Sequence, residues 1–130
     1  MREATLELLA PREDVWSFLA EPYHLSDWWP GITGVEPDRR GFAPGARWKV
    51  LATKRNVFVG PRPTDTLLLI REIDPYERWS WHLLKPRTEV EIRLRSVGEG
   101  RTAVTVATSQ GSASRAVQRL YDLVQTAATL

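Results

Sequence analysis

Cysteine is absent from the 130 residues. That removes disulfide frameworks, thiolate nucleophiles and thiolate metal sites together, and it fits a reducing compartment. Histidine occurs only twice; His24 and His82 are far apart, and no carboxylates flank them at ligand spacing, so the chain encodes no metal cluster. No stretch approaches the ~20 consecutive apolar residues of a membrane span. Residues 1–10 alternate charged and apolar groups and lack the continuous apolar run of a signal peptide. A strong charge of either sign is also missing: the formal net charge is +2, and the fifteen Arg and three Lys are dispersed among carboxylates. Nucleic-acid binding needs a concentrated basic patch. Repeats, low-complexity segments and linkers are absent too. The expectation is one domain over residues 1–130, cytoplasmic, not inserted in a membrane, with no cofactor and no nucleic-acid partner.

What the chain does have is six Trp, a residue that often borders cavities and interfaces, and a C-terminal segment of strong helical periodicity. With 100° between residues, Ala113, Ala116, Val117, Leu120, Val124, Ala127 and Ala128 share one arc. Arg115, Gln118, Arg119, Asp122, Gln125, Thr126 and Thr129 take the other, with Tyr121 and Leu123 on the shoulders. A helix from Ser112 to Leu130, roughly 27 Å long at ~1.5 Å per residue, can cross a whole small sheet. It requires an apolar surface to lie on.

That surface is predicted by the middle of the chain. Glu3 to Leu9 alternates as a strand with Ala4, Leu6 and Leu8 on one face. Pro11 at the first helical position, followed by Glu13 and Asp14, predicts a helix whose stripe is Val15, Trp16, Phe18 and Leu19 and which stops near Pro22. A short turn through Tyr23 to Asp27 precedes Trp28-Trp29-Pro30-Gly31, which imposes extended or turn geometry. Strands are predicted at Ile32 to Glu36, Arg47 to Ala52 or beyond, Thr66 to Ile73, Arg78 to Leu84, Thr88 to Val97 and Arg101 to Thr108. Asn56 to Val59 extends one strand in this reading, and Gly60-Pro61-Arg62-Pro63 turns the chain. Pro44-Gly45 reads as a type II turn. Asp74 to Glu77 and Gly98 to Gly100 read as hairpins, which makes the sheet antiparallel. Parity puts Val90, Ile92 and Leu94 on one face with Val104, Val106, Trp48, Val50, Trp79, Trp81 and Leu83. The predicted class is α+β, a curved antiparallel sheet with an apolar inner face and a long helix across it.

In order and spacing, the segment Pro11-Arg12-Glu13-Asp14-Val15-Trp16, then Asp27-Trp28-Trp29-Pro30, Pro44-Gly45-Ala46-Arg47-Trp48, Asp74-Pro75 and the closing amphipathic helix resemble the helix-grip (SRPBCC) superfamily. That group includes START-type lipid-transfer domains, pollen-allergen-like proteins and the polyketide cyclase/dehydratase-like family, and the chain looks closest to the last. The resemblance covers essentially the whole chain. It implies a cavity between helix and sheet that takes lipids, aromatic polyketides or similar apolar molecules, and it implies little about catalysis.

The expected ligand-binding set is Trp28, Trp29, Trp48, Trp79, Trp81, Val90, Ile92, Val117, Leu120, Tyr121 and Val124; the same side chains would equally serve as core. Polar candidates for catalysis are few. His24, with Tyr23, stands near the cavity mouth of the resembled fold, where a general acid or base is useful. Parity over Leu67 to Ile73 is ambiguous, so either Arg71 or Glu72 turns toward the inner side of the sheet near its rim, to orient a polar head group or to reach water. His82 alternates with the inward Trp81 and Leu83 and faces out. The serines lack a Gly-flanked elbow, and Ser112 is read as a helix cap. Two functions follow: binding of a small hydrophobic or aromatic molecule, with cyclase/dehydratase-type steering as an extension of it, or a protein-interaction module with a collapsed cavity, an exposed Trp28-Trp29 anchor and a homodimer among its assemblies.

Overall fold

The computed structural model describes the backbone of residues 1–56, 60–85 and 87–129, and their side chains outside 52–64 and 126–129. Seven strands form one sheet: β1 (Arg2–Leu8), β2 (Ile32–Glu36), β3 (Arg47–Asn56), β4 (Gly60–Asp74), β5 (Arg78–Leu83), β6 (Thr88–Gly98) and β7 (Arg101–Thr108). The spatial order is β1-β7-β6-β5-β4-β3-β2, with every neighbour antiparallel. The helices are α1 (Arg12–Ala20), α2 (Leu25–Trp28) and α3 (Ala113–Thr129), with a 3₁₀ turn at Pro22–His24. This is the helix-grip architecture.

Its connectivity explains the shape. The chain leaves β1 at one edge of the sheet, passes through α1 and α2, and re-enters at the opposite edge as β2. It then meanders back until β7 pairs with β1. The two edges can be joined by so short a helical crossover because the sheet curves strongly, as twisted sheets do. α3 packs on β1, β7 and α2 and closes the concave side.

The helix starts as its sequence dictates. Ser112 Oγ accepts the Arg115 N–H at 3.1 Å, the N-cap bond. Ala113, Ala116, Val117, Leu120 and Val124 are buried; the side chains of Ala127 and Ala128, and all of Leu130, lie outside the described residues. α1 begins one residue later than expected. Pro11 is extended (ψ 154°) and acts as the N-cap, its carbonyl accepting from Asp14 and Val15 N–H. The turn at Pro44-Gly45 is as expected: Gly45 has φ +84° and Ala46 N–H reaches Ala43 O at 3.1 Å.

Two departures occur in β4. Gly60 to Pro63, expected as a turn, is strand, paired with Thr53 to Asn56 of β3. β5 begins pairing only at Leu68, so this part of β4 is an edge, where proline's missing N–H interrupts no second ladder. Residues 57–59, expected to extend the strand, lie outside the described residues. The second departure is a register shift between Ile70 and Glu72. The bulge takes up one residue, so that Leu68, Ile70 and then Ile73 face inward.

Leu120 is fully buried on the inner arc of α3, whereas Arg115 on the same helix is exposed. Leu120→Ala is expected to cost about 2–5 kcal/mol by urea unfolding, and Arg115→Ala under about 0.5 kcal/mol.

Candidate functional site

Strand parity delivers Trp48 and Val50 from β3, Trp79, Trp81 and Leu83 from β5, and Val90, Ile92 and Leu94 from β6 to the concave face, all buried. The short α2 adds Trp28, and Trp29 follows as its extended C-cap (φ −88°, ψ 119°). The rings then meet in one continuous series. Trp28 meets Trp29 at 5.6 Å, Trp29 meets Trp81 at 5.0 Å, Trp81 meets Trp79 at 5.9 Å and Trp79 meets Trp48 at 5.9 Å between centroids. Phe42 continues it, 5.0 Å from Trp79 and 5.6 Å from Trp16, and Tyr76 ends it 6.1 Å beyond Trp16. Most contacts are edge-on or tilted, the arrangement that ring quadrupoles favour. Val117, Leu120 and Val124 of α3 belong to the same buried cluster, and Tyr121 packs at its border.

Phe42 and Trp16 were not among the expected ligand-facing residues. Phe42 lies between Gly41 and Ala43-Pro44, in a loop with no strand periodicity. An isolated aromatic in such a loop is itself a signal that the loop folds inward.

Asp38 holds that loop in place. Its Oδ2 accepts the Arg47 N–H at 2.9 Å, and its Oδ1 accepts those of Arg40 and Gly41 at 3.0 and 3.3 Å. These bonds, that from Arg47 first, hold its carboxyl below the ordinary 3.8 against an opposing desolvation, with the Arg40 charge assisting. The loop in turn supplies Gly41 O, which accepts the Trp48 indole N–H at 2.7 Å.

Three of the other five indoles are not served in this way. Nε1 of Trp28, Trp79 and Trp81 is shielded from solvent and has no hydrogen-bond partner among the described residues. Each such donor costs about 1–3 kcal/mol relative to a satisfied one. Gln125 also departs from the simple helical reading, which placed it on the wet arc: it is half-buried, and its Oε1 is shielded and unpartnered.

The polar candidates gather elsewhere. Arg71 and Glu72 both face outward, a correction to the expectation that one turns in, because the β4 bulge absorbs the residue that would otherwise invert parity. Arg71 lies 3.9 Å from Glu89, while Glu72 pairs with Arg78, which also reaches Asp74 at 3.1 Å and Glu91 at 3.7 Å. They line an outer cleft of about 240 Å³ with Met1, Ser80 and Glu91. Tyr23 is 61% exposed. His24 Nδ1 donates to Phe18 O at 2.8 Å and its ring stacks on Phe18 at 4.1 Å, so it ties the 3₁₀ turn to α1. Trp28 and Trp29, the proposed exposed anchor, are 0% and 6% exposed, which removes them from any surface. His82 is half-buried on the outer face between Leu69 and Glu89, with Nδ1 shielded and unpartnered. Among the described residues, no group of three or more His, Cys, Asp or Glu is placed to hold a metal ion, and no helix is long and apolar enough to cross a membrane.

Residues 9–126 match the model of the family described as Activator of Hsp90 ATPase homolog 1-like protein. No curated protein matches the sequence significantly. Many solved structures share the fold. A norcoclaurine synthase point mutant from Thalictrum flavum, in complex with a transition-state analogue, has a TM-score of 0.71 and 15% identity over 98% of this chain and 94% of its own. The di-domain ARO/CYC protein StfQ of the steffimycin biosynthetic pathway has a TM-score of 0.69 and 18% identity; 98% of this chain spans 44% of it. CalU16 from Micromonospora echinospora has a TM-score of 0.59 and 19% identity over 95% of this chain and 70% of its own. At these identities the likeness is one of fold.

Trp48→Phe keeps the ring and strands Gly41 O without its donor. It is expected to cost about 1–3 kcal/mol in unfolding free energy. For Asp38, a lowered folded pKa means that its stabilisation is present above pH 3.8 and is lost as the pH falls through the depressed value. The stability gap between the wild type and Asp38→Asn is therefore expected to be widest near neutral pH and to shrink below pH 3.8 in thermal melts across pH.

Proposed function

The chain belongs to the Activator of Hsp90 ATPase homolog 1-like family, and from that premise we propose that it binds a small hydrophobic or aromatic molecule between α3 and the concave face of the sheet. The observation that carries this reading is the concentration of indoles from α1, α2, β3 and β5 into one ring-against-ring surface on that face. A core built only for stability is served as well by Leu, Ile and Val, which bring no polar atom to bury. Flat guests stack on such a surface, and binding sites are built mainly from apolar and aromatic walls. That an ARO/CYC protein and a norcoclaurine synthase share the fold supports a guest of lipid or polyketide-like kind.

The role is holding the guest, with steering as its extension. Arg71 and Glu72 point away from the concave face, Tyr23 is exposed, and the Nδ1 of His24 is committed to Phe18 O. Cyclase- or dehydratase-type assistance would therefore consist of excluding water and fixing the guest's folded conformation. A second reading, a protein-interaction module, is favoured by one observation. Leu51, Leu67 and Leu84 are exposed on the outer face of β3 to β5, where Leu84 N–H bonds Leu67 O and Leu51 opposes Asp65 two residues from Leu67.

Titration with flat apolar molecules should quench tryptophan fluorescence saturably at one molecule per chain. Trp81→Leu should weaken the binding at least about tenfold. No quenching across the panel, together with a dimer by light scattering that Leu67→Asp dissolves, would replace this reading with the second.

A further inference from the structure

The outer face of the sheet is charged over β6, but toward β2 its character changes. Leu51 of β3 and Leu67 of β4 are exposed, and Leu84, whose N–H bonds Leu67 O at 3.0 Å, continues them just past β5. On the other side Gly34 of β2 pairs with Leu51 and brings no side chain of its own; Leu51 Cδ1 lies 3.2 Å from where a Cβ at Gly34 would stand. Together these positions form an apolar line that crosses the strands obliquely. The other exposed large apolar side chains among the described residues, Met1, Leu9, Tyr23 and Tyr76, stand singly at the terminus, in turns and in a bend. Single ones are ordinary, whereas a contiguous line marks a contact surface.

Charge decides what the line fits. Register places Lys49 opposite Leu67 and Asp65 opposite Leu51, so the cation and the anion stand on opposite sides of the Leu51–Leu67 diagonal. Within the chain the two meet at 3.5 Å with side chains 51% and 57% exposed, a pair held too loosely to resist exchange. A two-fold axis along that diagonal sets each leucine on the same leucine of a second copy, and carries Lys49 over Asp65 of the partner subunit and Asp65 over the partner's Lys49. An axis along the strands, or straight across them, sets charge on leucine instead, and one along the other diagonal sets like charge on like. With strands ~4.8 Å apart and alternate residues ~6.7 Å apart, the favoured axis crosses the two sheets at roughly 70°, toward the orthogonal class of sheet packing.

From this self-complementary array we infer that the outer face of β2 to β4 is an isologous interface with a second copy of the chain, in which two Lys49–Asp65 pairs are exchanged between copies. The face is turned away from α3, so the interface is independent of the binding reading above. Its apolar centre is small, which makes the assembly reversible and dependent on concentration.

Sedimentation velocity from ~10 μM to ~1 mM should show the wild type passing from monomer to dimer. Lys49→Glu and Asp65→Lys each put like charge at both exchanged contacts, and either alone should weaken the dimer at least about tenfold. In an equimolar mixture of the two, every contact again joins opposite charges, and the dimer should recover to within about threefold of the wild-type affinity. The double variant keeps an opposite-charge pair inside each chain. It should dimerise with itself and refuse a labelled wild-type chain, and it decides the matter by that sorting if a single variant fails to fold. An effect on the fold alone produces neither the rescue on mixing nor the sorting. A wild type that stays monomeric throughout, including one that captures only a different protein through this face, overturns the inference. So do a dimer indifferent to both single variants, single variants that stay apart when mixed, and a double variant that exchanges freely with the wild type. Each of these leaves the binding reading to the tryptophan titration; a dimer whose fluorescence is still quenched saturably supports both.

Discussion

The fold depends on one apolar contact, the amphipathic face of α3 against the concave side of the sheet, where it packs chiefly on β1 and β7. Neither surface is stable in water alone: β7 presents Val104 and Val106 and α3 presents Ala116, Val117 and Leu120, all fully or almost fully buried. An antiparallel sheet with one wet face must bury the other. The crossover from β1 to β2 closes one end through α1 and α2, and α3 closes the rest. The ion pairs that decorate the outer face, such as Arg93 with Glu3 and Arg101 with Glu7, are solvent-exposed and contribute modestly.

The two faces of the sheet have divided their chemistry cleanly. Charge lies outside, on Arg71, Arg78, Glu89, Glu91 and Arg93, where long side chains also shelter the small Ala103 and Ala107 of β7. Aromatic surface lies inside, supplied by four different elements and a loop. Polar groups on the inner face are few: Thr102 Oγ1 donates to Ala10 O, Thr66 Oγ1 accepts the Lys85 N–H, Trp48 donates to Gly41 O, and Nε1 of Trp28, Trp79 and Trp81 has no partner among the described residues. An interior of that kind suits recognition of an uncharged guest and offers little for moving protons. The same division puts Arg71 and Glu72 on the outer face, while Nδ1 of His24 bonds the backbone of Phe18.

Most of the architecture was legible in the chain. Period-two alternation in β6 is strong because one face is wet, so Val90, Ile92 and Leu94 alternate with Glu91, Arg93 and Arg95; the 3.6-residue period of α3 and the serine that caps it were equally plain. Ambiguity entered where no wet face enforced the pattern. Leu67 to Ile73 is apolar at five of seven positions, and a bulge costs so little there that parity could not say where Arg71 and Glu72 point. Pro61 and Pro63 signalled a turn because local chemistry cannot know that β5 stops short of them and leaves an edge.

By itself, then, the sequence determined most of the strands, the apolar face of those with one wet side such as β6, that a long helix must lie across them, and that thiolate chemistry is excluded. These are periodicities and compositions, carried by neighbours along the chain. Tertiary structure alone decided which rings touch, that Phe42 joins Trp16 to Trp79, that His24 Nδ1 meets Phe18 O, and that Trp48 has an acceptor while, among the described residues, Trp28, Trp79 and Trp81 have none. Whether a buried donor is satisfied depends on groups tens of residues away being within about 3 Å at a suitable angle, and no local pattern encodes that distance.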